Sequence, residues 1–149
     1  MSNNILLLFV ALLAGAMMPT QAATNNKMAV VTGSPILAAF LSFLVGTVAL
    51  FACVIAAGTP LTSFASIKEA PPIAWAGGLF GAFFVTAAVM LVPRIGVAMT
   101  FSALIAGQMI VTLIIDHYGL LGVPVKEISI ARVIGIVLIA AGVILIRRF

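Results

Sequence analysis

Five apolar runs dominate this chain, at residues 5–23, 35–57, 73–92, 97–115 and 128–146, and each is close to 20 residues long. A hydrocarbon slab of roughly 30 Å needs about 20 helical residues to cross it. Inside lipid the backbone polar groups find no water, so helices that satisfy them internally are the expected spans. The chain is 64% hydrophobic and only 7% charged over its 149 residues. A soluble domain carries roughly 25% charged residues, so no aqueous fold would hide this much apolar surface. The predicted fold is an all-α membrane protein, a bundle of five transmembrane helices in one domain with short connections.

The net charge of +4 does not point to nucleic acid, because the basic residues are singletons between apolar runs rather than a patch. They read as anchors at membrane boundaries, Lys27 and Arg94 among them. With one histidine, one cysteine, no zinc cluster and no Walker loop, the chain has no set of side chains for hydrolysis or ATP-driven chemistry. No enzyme activity, cofactor or metal is expected. Residues 5–16 with Pro19, Gln21 and Ala22-Ala23 resemble a signal peptide, but Met1–Asn4 brings no side-chain charge. The missing positive start favours a retained first helix.

Within this apolar frame the few polar side chains stand out. Gln108, Thr112 and Asp116 recur at intervals of four in the fourth run, which stacks them on one helix face. A polar stripe in lipid is costly unless it meets protein or water, and Gln108 lies mid-span, beyond the reach of headgroups. Gln21 and Asn25 share a face of the first helix one turn apart, and Ser42 lies on the second. Gln21, Asn25, Ser42, Gln108 and Thr112 are therefore the candidate solute contacts. Asp116 and His117, at the far end of the fourth span, are the candidates for proton coupling, with the headgroup layer as the alternative reading. Gly119 is the expected C-cap of that helix. Ser34 and Pro35 suit the start of the second helix. Arg132, about one turn inside the last helix, is read as reaching outwards to water. Small residues mark close-packing positions: Gly46 after Ala38 and Ser42, the GxxxG pair Gly77 and Gly81, Gly107 beside Gln108, and Gly135 in the last run.

Five spans put the termini on opposite sides. One side then holds Lys27, Arg94, Arg147 and Arg148, and the other Lys68, Lys126 and Arg132. Orientation follows an excess of Lys and Arg, and four against three is almost none. A near tie predicts insertion both ways and an antiparallel homodimer, a relation that single-chain transporters build from inverted repeats with the site at the midplane. An oppositely oriented paralogue is the other possible partner.

Several blocks occur in a recurrent order: Pro19 to Asn25; Gly33-Ser34-Pro35 with Ser42-Phe43-Leu44-Val45-Gly46-Thr47; Trp75-Ala76-Gly77-Gly78-Leu79-Phe80-Gly81; Gly107-Gln108; Ile115-Asp116-His117-Tyr118-Gly119; and Arg132-Val133-Ile134-Gly135. Together they resemble the five-helix YdcZ-like family of the drug/metabolite transporter superfamily, over nearly the whole chain. The resemblance implies a bacterial inner-membrane protein, homo- or heterodimeric, related to four-helix multidrug exporters and ten-helix metabolite transporters. It names no substrate. Those small exporters carry an essential Glu in their first helix, whereas no acid occurs here before Glu69. Cation/proton exchange on such a carboxylate is excluded for this chain. The leading expectation is a secondary transporter of a small polar or amphipathic solute; the second is a non-transporting membrane assembly protein that stabilises a partner.

Overall fold

The computed structural model describes residues 2–148, without the side chains of residues 2, 3, 63 and 64. Among the described residues five α-helices are long and apolar enough to cross a membrane: α1 (Ser2–Thr32), α2 (Pro35–Ala56), α3 (Pro72–Ile95), α4 (Val97–Tyr118) and α5 (Ile130–Arg148). No strand occurs among those residues. The boundaries follow the apolar runs to within a few residues, with one exception. Helix α1 continues nine residues past the expected end at residue 23, so Lys27 sits inside the helix rather than beyond it. Nothing in residues 24–32 breaks a helix, and Gly33 with φ +69° supplies the stop. Pro93, just past the expected end of the third run at residue 92, also lies within a helix, since α3 runs on to Ile95.

Two compact units divide between Pro93 and Arg94. In the first, α1 packs along α2. The join is tight because Ser34 Oγ accepts from the N–H of Leu37 at 3.2 Å and Pro35 opens α2, as the sequence predicts. Small residues let the helices approach. Ala29 of α1 meets Ala38 and Ala39 of α2, and Val85 and Val89 of α3 close the cluster with Phe84. Gly81 of α3 lies under the Phe43 ring, which a Cβ there would meet at 3.4 Å. The segment between α2 and α3 carries a 3₁₀ helix at Leu61–Glu69, ahead of Pro71-Pro72.

In the second unit α4 packs along α5. Gly119 takes φ +60° and ends α4 as a left-handed cap, as its position predicts. The chain then folds back over the end of α4: the N–H of Lys126 donates to the Asp116 carbonyl at 2.8 Å. Ser129 Oγ accepts from the N–H of Arg132 and starts α5.

Candidate functional site

Hydroxyl and amide side chains meet different fates in these helices, and the difference locates the candidate sites. A Thr hydroxyl can bond a carbonyl one turn back on its own helix. Thr20 bonds Ala16, Thr24 bonds Gln21, Thr32 bonds Met28, Thr47 bonds Phe43 and Thr100 bonds Gly96, at 2.7–3.0 Å. Those donors are spent. A side-chain amide carries two N–H donors and reaches past its own helix. The side-chain amides of Gln21, Asn25 and Gln108 make no hydrogen bond with any described residue. Asn25 is the extreme case, because the residue is 7% exposed and its Nδ2 is buried without a partner. An unmet buried donor costs about 1–3 kcal/mol.

In the first unit Gln21 and Ser42 come together. They line one cavity of about 190 Å³ between α1 and α2, with Phe43, Gly46, Thr47 and Leu50. Asn25 lies one turn along α1 from Gln21. The second cluster is in the other unit, where residues 109, 112, 113 and 116 of α4 face 132, 135, 136 and 139 of α5. These two stripes, each at helical spacing, enclose about 280 Å³. Thr112 and Asp116 lie on this wall. Gln108 is exposed and outside it. Five candidate solute contacts thus separate into Gln21, Asn25 and Ser42 in the first unit and Gln108 and Thr112 in the second.

The cavity between α4 and α5 contains a feature absent from the sequence reading. Arg132 Nη1 lies 3.3 Å from Asp116 Oδ2, and the same nitrogen donates to the Lys126 carbonyl at 3.2 Å. Arg132 therefore turns towards α4 instead of reaching outwards to water. The side chains are 35% and 26% exposed, so the pair is half-sheltered. Sequence spacing hides such a pair, sixteen residues apart. The clue available was topological: the end of one span and the start of the next share a membrane surface.

His117 is held differently. Its Nδ1 accepts from the N–H of Ile128 at 3.4 Å, which leaves the ring proton of the neutral imidazole on Nε2. Its ring meets Tyr118 edge-on, at 4.7 Å between centroids. Asp116 and His117 are neighbours in sequence but share no hydrogen bond, and each is tied instead to the returning segment 126–132. Among the described residues no three His, Cys, Asp or Glu side chains are grouped to hold a metal ion.

Among the glycines of the close-packing reading, only Gly81 has a neighbour against its missing Cβ. Gly46, Gly77, Gly107 and Gly135 meet no atom within 4 Å in this chain. Open glycine faces on all four helices from α2 to α5 leave room for lipid, solute or a second polypeptide.

No curated protein and no solved structure matches the chain. One family does match, over residues 6–145, under the description "Putative inner membrane exporter, YdcZ". That stretch takes in nearly all of the five spans, and the chain accordingly belongs to the DMT_YdcZ family and is a multi-pass protein of the inner membrane.

Proposed function

We infer that this protein is a secondary transporter of a small polar or amphipathic solute and works as an antiparallel dimer. The family description supports membrane transport. The observation that carries the reading is the set of intramembrane amides with no protein partner, Asn25 above all. In hydrocarbon such groups are kept where a solute, a water or another helix meets them. Gln21, Asn25 and Ser42 are the candidate solute contacts of the first unit, and Gln108 and Thr112 those of the second. A partner copy covers the Gln108 face of α4. Asp116, with His117 beside it, is the candidate for carrying a coupling proton. The near tie of basic residues supports insertion in both orientations, and α5, which has no fully buried residue, offers surface to a partner.

The test is flux in proteoliposomes. Gln108→Leu inserts and purifies like the parent but loses transport; full transport by this variant rejects the site. The open glycine faces also suit a non-transporting protein that stabilises another membrane protein. Under that reading Gln108→Leu changes the stability of the assembly, and no solute moves with either form.

A further inference from the structure

The ion pair Asp116–Arg132 sits in the wall of a cavity whose remaining lining is mostly apolar, and neither partner is used up by the other. Asp116 Oδ1 accepts no hydrogen bond from the described residues. Arg132 spends only Nη1, on Asp116 and the Lys126 carbonyl. A guanidinium has five N–H donors, so those on Nε and Nη2 remain. One wall of the cavity thus offers an unfilled carboxylate oxygen beside an unfilled guanidinium edge. From there the groove runs along α4 towards Leu113 and Met109 and along α5 towards Ile136 and Ile139. The step from Asp116 to Met109 is about 10 Å at the helical rise. Gly135 keeps the space open beside the charges, since nothing lies within 4 Å of where its Cβ would be.

Charge balance selects the ligand class. A lone anion on Arg132 competes with Asp116, and a lone cation on Asp116 competes with Arg132. Either leaves one unmatched charge in a half-dry groove, which is strongly unfavourable. A ligand bearing both signs adds no net charge: its ammonium meets Asp116 Oδ1 while its anionic oxygens take the free edge of Arg132, where bidentate geometry is available. The volume of about 280 Å³ lies just below the range for drug-sized ligands, roughly 300–1,000 Å³, and so suits a smaller molecule. We propose that the α4–α5 groove binds a small zwitterion, an ammonium and an anionic oxygen on a short apolar stem, with Asp116 and Arg132 holding the two charges. This deepens the transporter reading and rests on it for its biological role. The same chemistry is carried by a free apolar amino acid and by an ethanolamine phospholipid headgroup.

The test uses the full chain in nanodiscs of phosphatidylglycerol, with L-leucine as probe and binding followed by ligand-dependent thermal shift. Three analogues each remove one feature: N-acetyl-leucine the cation, leucinamide the anion, and glycine the stem. Leucine binds, and each analogue is weaker by about 10- to 100-fold, the loss expected for one charge-assisted bond or a buried stem. Gly135→Leu fills the groove without touching the ion pair and abolishes binding, whereas Gly135→Ala retains most of it. A second arm measures retention of phosphatidylethanolamine by the purified protein in native mass spectrometry. Retention lost in Gly135→Leu, with no leucine binding, assigns the zwitterion to lipid and supports the same chemistry. Equal binding of leucine and either singly charged analogue overturns the proposal. So does the absence of leucine binding together with lipid retention indifferent to Gly135→Leu. Leucine counterflow separates the two readings. Binding without flux sinks transport and keeps the zwitterion site, while flux of another solute through a chain that binds no zwitterion does the reverse.

Discussion

At Asn25 a buried amide stands between alanines, Ala22 and Ala29 being the buried residues one turn to either side on its own helix face. In the single chain its Nδ2 has no partner, so removing it should relieve a penalty. Asn25→Ala is expected to raise the apparent melting temperature of the detergent-solubilised monomer, by an amount corresponding to about 1 kcal/mol, and to abolish transport. A drop of several degrees would mean that the amide already has a protein partner. The contrast with threonine explains why the site residues were partly legible from sequence. Amides in apolar helices are conspicuous, and their need for an external partner follows from chemistry alone. Arg132 was read as reaching outwards to water because its partner lies in another helix, and only the return of segment 119–129 over the end of α4 brings the two together. The same return explains why Asp116 and His117, adjacent in sequence, bond to different atoms of that segment.

On the level of elements, helix ends were readable where a residue forces the backbone and misread where a residue only discourages it. Gly119 at φ +60° ends α4, and a Cβ there would meet Val125 Cγ2 at 2.7 Å and the Val123 carbonyl at 3.3 Å. Gly119→Ala should therefore destabilise the α4–α5 unit by about 1–2 kcal/mol, the cost of a left-handed non-glycine residue plus the close contact. Limited proteolysis within residues 119–129 would rise in step. Gly142, inside α5 with nothing within 4 Å, predicts the opposite sign: Gly142→Ala should be neutral or stabilising by up to about 1 kcal/mol in the solubilised monomer. Equal losses in both variants would contradict this account. Pro19 in α1 and Pro93 in α3 show the other side. Proline removes one backbone donor, yet both helices continue through it, so a single lost bond did not set the ends. Membrane helices tolerate this where neighbouring groups satisfy the freed carbonyl.

For the molecule as a whole, orientation is the property most exposed to small changes. If the basic residues nearly balance, the chain inserts both ways, and a C-terminal reporter active on only one side of the membrane should give signal from both complementary fusions. Replacing Lys68 and Lys126 with glutamine removes two charges from the less basic side and leaves four basic residues against one. That change should drive the population to one orientation and, if the active form is antiparallel, cut transport several-fold; co-expression with an oppositely biased variant should restore it. A reporter signal from one side alone in the parent would remove the basis for the antiparallel dimer. Sequence by itself determined the membrane class, the number of spans and the family, because runs of about 20 apolar residues have one stable use in a cell and that use is local to each run. Tertiary structure decided which polar atoms remain unmet, that Asp116 faces Arg132, and that two stripes eight residues long enclose a groove. Those outcomes depend on the rotation and register of one helix against another, which hydrophobicity leaves open and which close packing and the turn at Gly119 settle.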